Sequence, residues 1–422
     1  MHSVTNAIPT GTIASIPAKA HAHRALICAA LANSPSTILL SRTSKDIDAT
    51  MDSLRGLGAH VVYENKIVTV TPGPAPAKGN VVPHESGTTL RLLLPVAASI
   101  CNDVDVDAKG RLPDRPLEPM LGEMKAHGVT FSQDKPPFTM TGLLQGGNFS
   151  MVGDVSSQFF SGLLLAAPQI GLSTITSTTP LQSSDYVTLT TETMRDFGVE
   201  VEHTLPDTNI NEAFTVPFGA SFIGRDNYQI EGDWSNAAIW MVAAGMTGKP
   251  ITITGMNKNS VQADRRIMQV MIDAGCDVVW NGMNVTVTGR ASKPFHADLE
   301  QMPDMLPVMA ALSCSISGES SFVKGARLRL KESDRLVAVA NLVKDLGGTV
   351  REEGDDLYII GSGILKGGHG DCVNDHRLVM AGTLMALISE SPVTLKDSEA
   401  ITKSYPHFFE DWNLLGGNAQ PV

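Results

Sequence analysis

Nine consecutive residues, Arg327-Leu328-Arg329-Leu330-Lys331-Glu332-Ser333-Asp334-Arg335, gather four cations and two carboxylates. Behind them Leu336, Val339, Leu342, Val343 and Leu346 recur at helical spacing. A helix is therefore expected to start near Lys331, with Lys331 and Arg335 four apart on one face of its first turn. Like charges at that spacing repel, and a helix N-terminus already carries positive potential. A bound anion would resolve both conflicts, because a helix start offers free N–H groups as well as positive potential. On this stretch alone the simpler reading is favoured: Glu332 and Asp334 neutralise a solvated helix start.

Similar residues interrupt other apolar helix starts. Lys19 and Arg24 flank Ala20-His21-Ala22-His23, and Arg91 follows the small-residue run Glu85-Ser86-Gly87-Thr88-Thr89. Arg115 stands in Leu112-Pro113-Asp114-Arg115-Pro116. Ser156-Ser157-Gln158 opens one further helix and Ser183-Ser184-Asp185-Tyr186 another; Asn374-Asp375-His376-Arg377 and Lys403 come later. Serines at such places are usually caps, and a single Arg is usually solvated or paired. Equivalent helix starts in successive repeats would instead point at one place. Converging N-termini with Lys and Arg between them suit a ligand bearing phosphate and carboxylate groups.

Asp304, in Gln301-Met302-Pro303-Asp304-Met305, is either the cap of an apolar helix or a base in a partly desolvated cleft. Glu332 is the other candidate for proton transfer. His21 and His23 have no third His or Cys nearby, which disfavours a metal site. His23 is expected to be packed or paired with a backbone group. Neither a serine nucleophile elbow nor a P-loop lysine motif occurs, so acyl transfer and nucleotide hydrolysis lack support.

The elements that must position these residues repeat. An apolar helix ending in Gly, followed by a strand-like run, recurs at Gly58, Gly128, Gly198, Gly275, Gly347 and Gly416, at intervals of 70, 70, 77, 72 and 69 residues. Gly just past a helix end is the left-handed stop. Runs such as Val61-Val62-Tyr63 then Ile67-Val68-Thr69-Val70, or Val278-Val279 then Val285-Thr286-Val287, read as hairpins. Each unit also holds an earlier helix: Arg24 to Ala32, Gly87 to Ser99, Ser156 to Ala167, Trp234 to Met246, Asp304 to Ile316 and Arg377 to Ser389. The unit is βαβαββ, six times over, and the class is α/β or α+β. Crossings near Ile16 and Glu231 would divide the chain into two lobes of three units. The Gly-rich stretch Gly361 to Gly370 matches no dinucleotide fingerprint and reads as a loop.

The 422 residues suffice for two or three domains. A net charge of −12 argues against nucleic acid or an anionic membrane as the main partner. An anionic ligand would have to be held by cations gathered locally, against the overall field. The five cysteines are odd in number, far apart and without a CxxC pair, as in a reducing cytoplasm. Met1 to Thr12 lacks the pattern of a signal peptide, and no apolar segment reaches the length of a membrane span.

Taken together these runs resemble the 5-enolpyruvylshikimate-3-phosphate synthase family of enolpyruvyl transferases, from about Ile13 to Phe409. The resemblance is strongest at Glu85 to Arg91, Ser156-Ser157-Gln158-Phe159, Arg327 to Arg335 and Asn374 to Arg377. It implies the two-domain enolpyruvyl transferase fold, an inside-out α/β barrel with three βαβαββ units per domain. Residues 16–230 would form one lobe, 1–15 with 231–422 the other, and the active site would lie in the cleft between them, closing around the first ligand. The implied reaction joins phosphoenolpyruvate and shikimate 3-phosphate with loss of phosphate, without metal or organic cofactor, in a cytoplasmic monomer. Mapped by motif, Lys19, Gly87, Arg115, Gln158, Arg335, Arg377 and Lys403 would serve phosphoenolpyruvate. Arg24, Ser156, Ser157, Ser183, Asp304 and Lys331 would serve shikimate 3-phosphate, with Lys19 touching both ligands and Tyr186 lining the pocket. Asp304 would take the hydroxyl proton, and Glu332 or Lys19 would serve the methylene carbon.

Some positions depart from the family pattern. Ala20 replaces a Ser that helps hold shikimate in many members, a lost donor costing about 1 kcal/mol or more. Glu85 and Arg327 replace Asn, and Leu92 replaces a common Pro. Gly87 is kept where a side chain would narrow the phosphoenolpyruvate pocket, so competition by glyphosate is expected. Two alternatives remain: the sister transferase acting on UDP-N-acetylglucosamine, and a non-catalytic phosphometabolite-binding homologue. The sister enzyme usually carries a reactive Cys five residues before the arginine equivalent to Arg115, where this chain has Gly110.

Overall fold

The protein was analysed as a computed structural model, which describes residues 1–205 and 212–422. Two compact units form, one of Pro17–Ile230 and one joining Met1–Ile16 to Glu231–Val422. In the first lie α1 (Lys19–Ala30), α2 (Lys45–Gly56), α3 (Gly87–Ile100), α4 (Met120–Ala126), α5 (Ser157–Ile170) and α6 (Asp185–Asp196). In the second lie α7 (Trp234–Thr247), α8 (Ile267–Asp273), α9 (Leu306–Cys314), α10 (Arg335–Asp345), α11 (His376–Met385) and α12 (Phe408–Leu414).

Helices α3, α5, α7 and α9 are apolar nearly all round, and such helices must be buried on every side. Leu90 to Ala98 in α3 and Trp234 to Met246 in α7 are inaccessible or nearly so, apart from the partly exposed Ser235. Sheets cover these helices and keep one face for solvent. In Ile67–Thr71, Val68 and Val70 are buried while Thr69 between them is exposed.

Among the described residues, six four-stranded sheets follow one plan, three in each unit. Gly79–Val81 runs parallel to Asp103–Val106, which pairs antiparallel with Phe138–Thr141, which pairs with Thr130–Phe131. Chain order is broken where strands come from afar. Tyr228–Gln229 supplies the parallel strand beside Ser36–Leu39, with Tyr228 opposite Ile38. Gly11–Ala14 does so beside Ile251–Thr254, and His2–Thr5 sits between Val393–Lys396 and Asn418–Pro421. Hairpins close as their sequences require: Asn65 and Lys66 both have positive φ, as a tight turn between twisted strands needs. All six helix-stop glycines also have positive φ, between +87° and +102°.

The structure corrects several boundaries. Helix α10 starts at Arg335, not near Lys331, because the Asp334 side chain accepts from Val337 N–H at 3.3 Å and caps it. Residues Ala326–Leu330 form a 3₁₀ turn and Lys331 is extended, so Lys331 and Arg335 share no helix face. Asp304 is not a cap either: it lies inside the 3₁₀ turn Pro303–Met305 that precedes α9. Helix α11 stops at Met385, and Ala386–Ile388 tightens into a 3₁₀ turn. Both ends of Gly361 to Gly370 belong to strands, Asp356–Gly361 and Gly368–Asp371. At Gly361 a Cβ would come within 2.0 Å of the Ser313 and Ile316 carbonyls, so only glycine lets that strand pack against the end of α9.

Candidate functional site

In the unit Pro17–Ile230 the singled-out residues gather at helix starts. Lys19 opens α1, and its Nζ pairs with Asp46 Oδ2 of α2 at 2.7 Å. One turn on, Arg24 is buried, and burial lowers its pKa to about 10. Its Nε donates to Thr190 Oγ1 at 2.7 Å, Nη1 to the Ala20 carbonyl at 2.8 Å, and Nη2 to Ser161 Oγ and the Tyr186 carbonyl at 3.2 and 3.0 Å. Four of five N–H groups are thus used, three of them tying α1 to α5 and α6 and one returning to α1 itself. Tyr186 enters this set by its backbone. Ser183, just before α6, is buried with φ +54°. Helix α6 starts without a side-chain cap bond from Ser184, so Ser184 is not the expected cap.

A chain of hydroxyls links α1, α2 and the cap of α3. His23 Nδ1 lies 2.6 Å from Thr50 Oγ1, Thr50 Oγ1 lies 2.7 Å from Thr89 Oγ1, and Thr89 Oγ1 donates to Ser86 Oγ at 2.8 Å. His23 thus pairs with a side chain, not a backbone group, and burial holds its pKa well below the usual value. His21 bonds Tyr228 Oη at 2.8 Å, and burial with the Arg24 charge pushes its pKa to about 4.

Ser86 caps α3, accepting from Thr89 N–H at 3.2 Å, and so sets Gly87 as the first helical residue. The Arg115 guanidinium lies on that glycine: a Cβ there would sit 2.5 Å from Nη1. Ser156 caps α5, accepting from Gln158 N–H at 3.3 Å, with Ser157 buried beside it. The Gln158 amide is fixed at both ends: Oε1 accepts from Arg91 at 3.1 Å and Nε2 donates to Thr88 at 2.9 Å.

In the unit Met1–Ile16 with Glu231–Val422, cations surround one carboxylate. Asp304 Oδ1 accepts from Arg335 at 2.7 Å and lies 3.3 Å from Lys331 Nζ, while Oδ2 accepts from Arg377 at 3.1 Å. Arg335 is itself buried, and also bonds Glu332 Oε2 at 2.7 Å and Asp375 Oδ2 at 3.0 Å. Burial works against its charge, but Asp375, Glu332 and Asp304 outweigh it and raise its pKa. Asp375 is buried as well, and the Arg335 charge overcomes that burial to lower its pKa. No anion is needed to explain Arg335, because three carboxylates already balance it. Lys331 differs: burial, only partly offset by Asp304, lowers its pKa to about 8. Lys403 donates to the Asn374 carbonyl at 2.8 Å, next to the start of α11 that carries Arg377.

Sequence reasoning passed over Asp46, Thr50 and the role of Asp375. Asp375 had a legible signal, since Asp before an apolar run is a cap and its Oδ1 does accept from Arg377 N–H at 3.0 Å. Asp46 and Thr50 gave no signal, because a carboxylate and a hydroxyl within α2 look like ordinary helix residues.

Comparison with known proteins places this arrangement. The family described as EPSP synthase (3-phosphoshikimate 1-carboxyvinyltransferase) matches residues 7–412. A 3-phosphoshikimate 1-carboxyvinyltransferase of Clostridium kluyveri is 35% identical over 412 residues, covering 96% of this chain and 95% of its own length. One from Methanocorpusculum labreanum is 34% identical over 417 residues, covering 97% of each. A solved EPSP synthase of Acinetobacter baumannii has the same fold, with TM-score 0.81 at 22% identity over 100% of this chain and 99% of that one. Full-length matches of this kind, on a chain with such helix starts, show that it belongs to the EPSP synthase (3-phosphoshikimate 1-carboxyvinyltransferase) family.

Proposed function

We propose that the protein transfers the enolpyruvyl group of phosphoenolpyruvate to the 5-hydroxyl of shikimate 3-phosphate and releases inorganic phosphate. Family membership supports this reading, and one observation carries it beyond the family: Asp304 is a carboxylate held by Arg335 and Arg377 with Lys331 beside it. Both substrates are anions, yet the chain carries a net charge of −12, so local cations must hold them.

Lys19, Gly87, Arg115, Gln158, Arg335, Arg377 and Lys403 serve phosphoenolpyruvate. Arg24, Ser156, Ser157, Ser183, Asp304 and Lys331 serve shikimate 3-phosphate, Lys19 meets both, and Tyr186 lines the site. The attacking hydroxyl gives its proton to Asp304 as its oxygen bonds C2 of phosphoenolpyruvate, and the methylene carbon C3 gains a proton from Glu332 or Lys19. Loss of a C3 proton from the tetrahedral intermediate then expels phosphate and restores the double bond. The protein acts as a cytoplasmic monomer, a placement supported by five buried cysteines, each free.

Glyphosate, a phosphonate with a carboxylate and an amine, is proposed to compete with phosphoenolpyruvate, because glycine at residue 87 leaves the Arg115 guanidinium in place. Steady-state assays with shikimate 3-phosphate and with UDP-N-acetylglucosamine test the reading. Turnover with the first alone, inhibited competitively by micromolar glyphosate, is the expected result. Turnover with the second alone transfers the assignment to the sister enzyme, and micromolar insensitivity removes the glyphosate proposal.

A further inference from the structure

Arg91, one of the cations that interrupt the apolar helix starts, has no part in the reaction described above. It lies in the second turn of α3 and is 4% exposed. An arginine is rarely so buried unless its guanidinium is satisfied. Its Nη2 donates to the Pro116 carbonyl at 3.0 Å, and its Cζ lies 5.6 Å from the centre of the Phe159 ring. These contacts anchor the guanidinium, and its Nη1 donates to Gln158 Oε1 at 3.1 Å.

Helix packing brings the two side chains together. Helices α3 and α5 approach closely at Gly162, where a Cβ would come 2.5 Å from the Arg91 carbonyl and 3.3 Å from Leu92 Cα. Glycine therefore sets the approach. Gln158 precedes Gly162 by four residues and shares its face of α5. Arg91 in turn follows Gly87 by four residues in α3, and the Arg115 guanidinium lies on Gly87. Gln158, Arg91, Gly87 and Arg115 thus form one patch of the unit Pro17–Ile230.

A primary amide can show a ligand either its oxygen or its N–H groups. Arginine carries only donors, so the amide atom that meets Arg91 is oxygen, and Nε2 faces away. Thr88 Oγ1 takes one Nε2 N–H at 2.9 Å; among the described residues the other has no partner. An anion needs such a donor, whereas an amide turned the other way would set its oxygen against the anion.

We propose that Arg91 is a positioning residue for phosphoenolpyruvate: it turns the Gln158 amide so that an N–H, not the carbonyl oxygen, meets the anion. This inference rests on the proposed reaction, because Gln158 serves phosphoenolpyruvate there.

A double-mutant cycle read by steady-state kinetics tests it. Arg91→Met keeps the length of the side chain and removes every donor. KM for phosphoenolpyruvate should rise about tenfold, while KM for shikimate 3-phosphate changes less than about twofold. Gln158→Ala leaves no amide to turn, so adding Arg91→Met to it should change KM for phosphoenolpyruvate by less than about threefold. Gln158→Glu covers the case in which Arg91→Met does not fold. It keeps an acceptor for Arg91 but has no N–H, so it should melt no lower than wild type and still raise KM for phosphoenolpyruvate about tenfold.

Equal rises in KM for both substrates, effects that multiply in the double variant, or an unchanged KM in Gln158→Glu would each overturn the proposal. A wild type without turnover would instead overturn the reaction reading. The same variants are then compared by calorimetry with phosphoenolpyruvate alone, where affinities equal to wild type would overturn the role of Arg91.

Discussion

At the scale of single residues, Asp304 is where the account is most exposed. Its two oxygens meet Arg335, Lys331 and Arg377, so removing it takes away the anion that these cations share and, in the proposed mechanism, the proton acceptor. Asp304→Ala is expected to lower kcat by about 100- to 10,000-fold. Near-full turnover in a steady-state assay would remove Asp304 from the role. Lys331 gives a pH test. Its pKa is lowered to about 8, so the free protein loses that charge as pH rises through 8, while a bound phosphate favours the charged form. Affinity for shikimate 3-phosphate should therefore weaken above pH 8, and calorimetry in buffers of different ionisation heat should show proton uptake on binding. Lys331→Arg, charged throughout, should flatten that dependence; equal pH profiles for both proteins would count against it.

The types of these residues were legible in the sequence, but their pairings were not. Arg335 invited a bound anion because its partners Asp304 and Asp375 lie 31 and 40 positions away.

At the scale of elements, caps and hydroxyls decide where the helices start. The chain His23–Thr50–Thr89–Ser86 joins α1, α2 and the cap of α3 through buried hydrogen bonds. Thr50→Val keeps the shape but leaves His23 and Thr89 short of a partner. It should cost about 1–3 kcal/mol in denaturant unfolding. A loss below a few tenths of a kcal/mol would show that the chain does not hold the helix starts together. The one serious misplacement of an element arose near Lys331. Apolar spacing from Leu336 onward shows a helix but not its first residue, and Asp334 is the signal that should have fixed the start. Ser86 and Ser156, by contrast, cap as their sequences require.

At the scale of the whole chain, the repeat was readable because each helix–hairpin junction needs a left-handed residue, and glycine marks six of them. Strand exchange was less readable, since nothing in Tyr228–Gln229 says that it will lie beside Ser36–Leu39. His2–Thr5 is the sharpest case. It lies inside its sheet, antiparallel to both Val393–Lys396 and Asn418–Pro421, and Val4 is fully buried. Deleting residues 1–6 should leave Asn418–Pro421 without its neighbour and Val393–Lys396 paired only with Gly368–Asp371, and lower the melting temperature by many degrees. An unchanged melting curve would mean that this strand does not hold its sheet together.

The central claim is enolpyruvyl transfer between two anionic substrates, and phosphate release tests it most directly. Purified protein mixed with phosphoenolpyruvate and shikimate 3-phosphate should release phosphate in step with formation of the enolpyruvyl ether, and omission of either substrate should stop both. No phosphate above background with both substrates present, or release that needs only one of them, would contradict the account.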